Sequence, residues 1–139
     1  MPRVSVIIRT KDRPAFLARA LADICAQTFT DWDVIVVNDG GDMDAVHATV
    51  AGSSAVRRTI VFDSPAPHGR CIAANAGIRA SSGEYVVLHD DDDRWDPRFL
   101  ERTVEWLDAQ PSDVGVMVST SNINEEQQGD GGVEVERTP

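Results

Sequence analysis

The chain has 139 residues, 42% of them hydrophobic, and a net charge of −10 at pH 7. This length allows one domain with a real core and leaves no room for two. The acidic surplus argues against nucleic-acid or anionic-membrane partners, because both depend on clustered Lys and Arg. The longest apolar runs fall far short of the roughly 20 residues that span a bilayer, and no signal-peptide pattern opens the chain, so we expect a cytoplasmic location.

Short apolar runs alternate with amphipathic segments along the first 120 residues. β-Branched apolar runs predict strands, whereas apolar residues three and four positions apart predict helices. The predicted strands are residues 4–8, 33–38, 59–62, 85–88 and 114–119. The predicted helices begin at Pro14, Asp44, Arg70 and Pro97. In the first helix one apolar face is predicted, made of Phe16, Leu17, Ala20, Leu21, Ile24 and Cys25.

This alternation predicts an α/β, Rossmann-like fold with a mainly parallel sheet and helices on both faces. Ligands of such sheets bind beyond the carboxyl ends of the strands, where the polar loops of this chain lie. Residues 122–139 are polar and predict a loop, an edge strand or partial disorder. Cys25 and Cys71 fall in separate helical patterns, which favours two buried free thiols over a disulfide.

Four consecutive aspartates, residues 90–93, follow the fourth predicted strand. Crowded carboxylates repel one another, and a divalent cation is an economical partner for them. Mg²⁺ or Mn²⁺ suits such oxygen ligands and is commonly held together with substrate phosphates. A solvated acidic loop is the alternative. Asp39 ends the second strand at the same expected sheet edge and could hydrogen-bond a base or a sugar hydroxyl, although Asp-Gly-Gly-Asp is equally a plain turn sequence.

Other polar and aromatic positions have two interpretations each. His68 and Arg70 flank Gly69 before a helix and could contact a phosphate, or could be surface residues at a helix start. His89 could be a metal ligand or a base, but a lone histidine that closes a buried strand is more often packed and hydrogen-bonded, and we interpret it in that way. Trp95 is interpreted as a core or rim aromatic that is close enough to the acidic run to wall a sugar pocket. The sequence contains no P-loop and no GxSxG elbow, which excludes the ordinary forms of those enzymes.

Taken in order, these segments resemble family 2 glycosyltransferases of the GT-A fold. That family has an opening strand, a Q-T step, a V-x-D-G turn and a D-x-D cluster. The chain reads VSVIIRTKDRP, then AQTFTDWDVIVVNDGGD, then GRCIAANAGIRASSGEYVVLHDDDDRWDP, so the resemblance covers about residues 2–120. It implies a transferase that moves a sugar from a nucleoside diphosphate sugar to an acceptor hydroxyl, with Mn²⁺ or Mg²⁺ and an inverting course.

The resemblance also implies roles for individual residues. Asp39 matches the aspartate that binds the nucleobase, the loop at 10–12 matches the base pocket, and Arg70 matches a basic position near the donor. In the family's acidic cluster an early aspartate contacts ribose and the last one holds the metal. The implied donor-binding residues are Thr10, Asp12, Asp39, Arg70, Asp90 and Asp91, and the implied metal ligands are Asp90 and Asp92.

Two features depart from the family pattern. Arg9-Thr10-Lys11-Asp12 stands where the family often has Pro-Thr-Tyr-Asn, so Lys11 supplies no aromatic stack and the base is undetermined, with a UDP-sugar as the first candidate. The acceptor half, with its acidic base, normally follows the fifth strand, and Glu125 and Glu126 are poor candidates for that base. We therefore expect residues 1–121 to bind the nucleotide sugar, and residues 122–139 to be a polar tail or the start of a truncated acceptor half.

The catalytic base is then expected outside this chain, and the acceptor could be a glycan, a lipid-linked sugar or a protein. One rival hypothesis is a noncatalytic nucleotide- or metal-binding module of a larger protein. Another is a receiver-like or phosphatase-like domain, which needs a lysine on a later strand. Lys11 is the only lysine and follows the first strand, which disfavours that hypothesis.

Overall fold

The computed structural model describes residues 1–64, 69–110, 115, 122–127 and 133–138, and only the backbone of the last two segments. Its strands are β1 (Val4–Thr10), β2 (Trp32–Asp39), β3 (Thr59–Ser64), β4 (Tyr85–Asp90), β5 (Asn122–Gln127) and β6 (Val133–Thr138). Its helices are α1 (Pro14–Cys25), α2 (Met43–Ala51), α3 (Arg70–Ala80) and α4 (Phe99–Asp108), with a 3₁₀ turn at Val56–Arg58. The predicted strand at 114–119 lies outside the described residues, apart from Gly115.

Four of the strands form one parallel sheet in the order β3-β2-β1-β4. Helices connect the strands in sequence, which confirms the predicted α/β fold. β1 runs two residues beyond its apolar stretch, so that Arg9 lies opposite both Val37 of β2 and Asp90 of β4. All four strands therefore deliver their carboxyl ends to one edge of the sheet.

The two faces of the sheet carry different helices. On one face, alternate residues of β1 and β2 form a buried core with residues of α1, α2 and α4. On the other face, Ile7, Ile35 and Val37 pack against Ala73 of α3. The prediction of helices on both faces is thus confirmed. Phe16 is an exception to the predicted buried face of α1, since its side chain is 38% exposed and lies under the guanidinium groups of Arg13 and Arg19.

Helix α3 lies unusually close to the sheet. A Cβ at Gly77 would come within 2.5 Å of Ile7 Cγ2, so only glycine fits at that contact. The small residues of α3 therefore face the sheet, while Ile72 and Ile78 are exposed. Cys71 is exposed as well, and the prediction that both cysteines are buried is wrong for it, because this face of α3 points away from the sheet. Cys25 is half-buried, and both thiols are free as predicted.

Strands β3 and β4 are less buried than a sheet covered by helices would require. Their apolar residues alternate between partly buried positions and an exposed side. The exposed side chains are Ile60, Phe62, Val86 and Leu88, at 40–49% of their full exposure.

The chain divides into two compact units, Met1–Glu105 and Trp106–Pro139. The second unit contains the antiparallel pair of β5 and β6, with Asn122 opposite Thr138. Strand structure was one of the alternatives predicted for this polar region. The functional boundary expected between residues 121 and 122 is a different division and stays a prediction. In the described parts of the chain, no helix combines the length and the apolar character needed to cross a membrane.

Candidate functional site

A cleft opens at the carboxyl edge of the parallel sheet. The ends of β1, β2 and β4 and the start of α3 contribute its walls, because parallel pairing brings these ends together. Its lining residues are Arg9, Thr10, Lys11, Arg13, Asp39, Arg70, Asp90, Asp91 and Asp92. Five acidic or hydroxyl side chains thus meet four cationic ones at a single site.

The acidic turn, residues 90–92 at the end of β4, is tied to β1 and to the start of α1 by ion pairs and one hydrogen bond. Arg9 pairs with Asp90 through Nη2 and Oδ1. Arg13 spans the next two carboxylates, with Nη1 at 3.3 Å from Asp91 Oδ1 and Nη2 at 3.3 Å from Asp92 Oδ2. Thr10 Oγ1 donates to Asp91 Oδ2 at 3.1 Å. Two arginines therefore offset part of the repulsion among three neighbouring carboxylates.

The three carboxylates differ in burial. The Asp91 side chain is 6% exposed, whereas those of Asp90 and Asp92 are 37% and 53% exposed. Burial raises the pKa of Asp91, and the hydrogen bond from Thr10 and the charge of Arg13 oppose that rise. Asp91 therefore anchors the turn, while the carboxylates of Asp90 and Asp92 are the more accessible ones in the cleft.

The loop after β1 and the turn after β2 are braced against each other. Asp12 has a φ of 52°, a left-handed conformation that aspartate tolerates. Its Oδ1 accepts a hydrogen bond from Asp42 N at 2.8 Å. Asn38 closes the turn, with Oδ1 accepting from Gly41 N at 3.1 Å and Nδ2 donating to Gly41 O at 2.7 Å. This bracing fixes the position of Asp39 at the cleft edge.

His89 and Trp95 lie beneath the acidic turn and do not line the cleft. The His89 ring is fully buried, and its Nδ1 donates to the Asp90 carbonyl at 2.6 Å. Burial lowers the pKa of His89, which favours the neutral form of the ring. The ring centroid of Trp95 lies 4.3 Å from that of His89 and 4.4 Å from that of Phe99. The interpretation of His89 as a packed, hydrogen-bonded residue is confirmed, and Trp95 packs against the core.

Gln27, in the Q-T step, holds the segment that follows the acidic turn and leads into α4. Its buried side chain donates through Nε2 to Asp96 O at 2.9 Å and accepts through Oε1 from Leu100 N at 3.0 Å. The neighbouring Thr28 N donates to Pro97 O at 2.9 Å. This step therefore fastens the start of α4 to the end of α1, which limits where the acidic turn can lie.

The structure brings together most of the residues that the sequence predicted for the site. Thr10, Asp39, Arg70 and the carboxylates of residues 90–92 line one cleft. Asp12 does not line it and instead braces the neighbouring turn. His68 lies outside the described residues. Arg9 and Arg13 were missed, although the pairing of parallel strands places Arg9 opposite Asp90 and could have indicated that ion pair.

The fold and this acidic edge define an α/β domain of the GT-A glycosyltransferase class. The model of glycosyl transferase family 2 matches residues 5–133. The chain therefore belongs to glycosyl transferase family 2.

Relatives and solved structures agree with this assignment. An uncharacterized glycosyltransferase of Nostoc sp. is 35% identical over 116 residues, covering 83% of this chain and 35% of the relative. A putative colanic acid biosynthesis glycosyl transferase of Escherichia coli is 28% identical over 100 residues, covering 71% of this chain and 36% of the relative. The chain thus spans about a third of the length of these relatives.

Among solved structures, a mannosyltransferase from Pyrobaculum calidifontis in complex with GDP-Man and Mn²⁺ has a TM-score of 0.70 and 27% identity. The match covers 79% of this chain and 33% of that one. Residues 1-349 of Staphylococcus aureus TarS in complex with UDP-GlcNAc have a TM-score of 0.68 and 20% identity, and the match covers 76% of this chain and 31% of that one. At that identity, the similarity to TarS supports the fold alone.

Proposed function

We propose that this chain binds the nucleoside diphosphate sugar of a metal-dependent glycosyltransferase, which transfers the sugar to an acceptor hydroxyl with inversion. The observation that carries the proposal is the cleft itself. Asp39, the exposed carboxylates of Asp90 and Asp92, and the guanidinium of Arg70 meet at one sheet edge. A carboxylate suits a base or ribose hydroxyl, and a guanidinium at a helix start suits a phosphate.

The residues present fit a divalent cation that is shared with the substrate. In the described part of the chain, no group of three or more His, Cys, Asp or Glu side chains could hold a metal by itself. Mg²⁺ is usually held by one or two carboxylates together with substrate phosphates, and Asp90 and Asp92 supply that number at the cleft. When bound, such a cation neutralises charge on the departing diphosphate.

The protein's own residues have separate tasks in this proposal. Asp39 orients the base, and Arg70 holds a phosphate oxygen near the start of α3. Asp91 keeps the acidic turn in place through Thr10. Lys11, which lines the cleft where the family often has an aromatic residue, places a cation near the base pocket. The GDP-Man complex of the Pyrobaculum calidifontis mannosyltransferase supports a nucleoside diphosphate sugar as the donor class.

The test is calorimetric titration of the chain with UDP, GDP and dTDP, each with and without Mn²⁺. Asp92→Asn is the site variant, and Asp31→Asn is its control, because Asp31 is an exposed aspartate beside the opposite end of β2. We expect metal-dependent binding of one nucleotide, retained in Asp31→Asn and lost in Asp92→Asn. Unchanged metal-dependent binding in Asp92→Asn would contradict the metal assignment, and no binding of any nucleotide would contradict the donor site.

A further inference from the structure

Arg13 contacts the Asp92 carboxylate, which the proposed function assigns to the metal. Its guanidinium lies 3.3 Å from one oxygen of Asp91 and 3.3 Å from one oxygen of Asp92. A divalent cation binds carboxylate oxygen at about 2.0–2.2 Å. A cation on Asp92 Oδ2 would therefore lie within roughly 5 Å of the guanidinium, and the two like charges would repel each other.

The Arg13 side chain is more exposed than that of Arg9. The Arg9 side chain is 16% exposed beside Asp90, whereas that of Arg13 is 41% exposed. Arg13 lies at the N-cap of α1, where its backbone carbonyl accepts from Leu17 N at 3.0 Å. Its guanidinium also lies 4.3 Å from the centre of the Phe16 ring, which offers a cation–π surface beside the carboxylates. The backbone is thus fixed while the charged end can exchange partners.

We propose that Arg13 is an internal counter-ion that competes with the divalent cation for Asp92 and is released to the donor diphosphate, which couples metal binding to donor binding. This inference rests on the proposed function. Arg13 and Asp92 line the same cleft as Arg70, so a diphosphate placed there lies within reach of the released guanidinium. By linkage, the factor by which the diphosphate raises metal affinity equals the factor by which the metal raises diphosphate affinity.

The size of the effect follows from charge and distance. A +1 and a +2 charge about 5 Å apart at an exposed site, screened by physiological salt, give roughly a three- to tenfold change in metal affinity. Removing the guanidinium should therefore tighten Mn²⁺ binding by that factor when no nucleotide is present. It should weaken nucleotide binding when Mn²⁺ is present, because the phosphates then lose a cationic partner.

The experiment measures Mn²⁺ affinity by electron paramagnetic resonance without nucleotide, and UDP and GDP affinity by calorimetry with Mn²⁺. It compares the wild-type chain with Arg13→Gln and with Arg57→Gln, a control of equal charge change in the exposed 3₁₀ turn before β3. We expect opposite changes in Arg13→Gln, tighter for Mn²⁺ and weaker for the nucleotide, and neither change in Arg57→Gln. A purely structural role would weaken both kinds of binding.

A third variant, Arg13→Lys, keeps the charge but cannot contact both carboxylates as a fork, so its Mn²⁺ affinity should lie between those of the wild type and Arg13→Gln. If the wild type binds a nucleotide with Mn²⁺ and Arg13→Gln matches Arg57→Gln in both titrations, the counter-ion role is overturned and the proposed function stands. If the wild type shows no metal-dependent nucleotide binding, the proposed function fails and the counter-ion role fails with it.

Discussion

Gly41 is the residue at which a single methyl group should separate the two loops beside the cleft. A Cβ built there would lie 2.7 Å from Asp12 N, 2.8 Å from Asp12 Oδ1 and 3.0 Å from Asn38 Oδ1. The closest of these atoms belongs to the backbone and cannot rotate away. Gly41→Ala should therefore push the Asp12 loop from the turn after β2 by several tenths of an ångström.

The cost follows from crowding and from weakened hydrogen bonds. Overpacking of a fitted site costs about 1–3 kcal/mol. The push also strains the bonds from Gly41 N to Asn38 and from Asp42 N to Asp12, each contributing about 0.5–1.5 kcal/mol. Replacing glycine by alanine stabilises the protein by about 0.4–1 kcal/mol, because it lowers the conformational entropy of the unfolded chain. We expect a net loss of about 2 kcal/mol, which corresponds to a Tm lower by roughly 5–10 °C for a chain of this size.

The assay is urea and thermal unfolding of the wild type, Gly41→Ala and Gly52→Ala. Gly52 is the matched control because its φ is −78° and its new Cβ would meet only ordinary contacts at 3.6 and 3.7 Å. Gly52→Ala should be neutral or slightly stabilising. If Gly41→Ala proves as stable as Gly52→Ala, the close approach of the two loops is refuted. If the donor proposal is right, Gly41→Ala should also bind the nucleotide more weakly, since Asp39 shifts with its turn.

Three further predictions concern a carboxyl group, two thiols and a buried amide. Because burial raises the pKa of Asp91, its contribution to stability is present below the unfolded pKa of about 3.9 and is lost as pH rises through the folded pKa. Asp91→Asn should therefore gain Tm relative to the wild type as the pH rises above about 4, and a constant difference would contradict this. Cys71 should react with a thiol reagent quickly and Cys25 slowly, because Cys71 is exposed and burial raises the pKa of Cys25. Cys71→Ser should then lose the fast phase of the reaction, and loss of the slow phase instead would refute that order. Gln27→Leu should lower the free energy of unfolding by about 2 kcal/mol or more in urea titrations, because it leaves the buried N–H of Leu100 without its acceptor, and a loss under about 0.5 kcal/mol would contradict it.

The sequence predicted most of the fold because local patterns and long-range packing agree. Pro14 is the first residue of α1, where its missing N–H costs nothing, and the residues three and four positions apart face the core. The apolar runs of β1 and β2 are buried on both faces, as the lack of alternation indicated. Here the local preferences of the chain and the burial of apolar residues on both faces of the sheet favour the same structure.

Helix α3 could not be read in the same way. Its sequence has isoleucines and a cysteine that a pattern assigns to the core, yet Ala73, Ala74 and Gly77 are the buried residues. The reason is the distance between helix and sheet, which Gly77 sets by allowing Ile7 to approach. A helix that packs this closely buries small residues, and hydrophobicity alone does not reveal which face that is.

The position of the site could be predicted from the sequence, but the ion pairs and hydrogen bonds within it could not. Parallel strands carry their loops to one edge, so the sequence alone placed Asp39 near the acidic run. Pairing of Arg13 with Asp91 and Asp92 depends on the rotamer of one side chain at a helix start, which no spacing rule specifies. The brace between Asp12 and Asp42 likewise depends on a left-handed residue that the sequence does not signal.

The alternating burial of the acidic turn explains why the two carboxylates proposed for the metal, Asp90 and Asp92, have one residue between them. All three carboxylates line the cleft, but the Asp91 side chain is only 6% exposed, whereas those of Asp90 and Asp92 are 37% and 53% exposed. Both oxygens of Asp91 already have partners, Thr10 on Oδ2 and Arg13 on Oδ1. An anchored middle residue holds the outer two in place before any ligand is present. Under the proposed function, the cost of ordering them is then met on folding and not on donor binding.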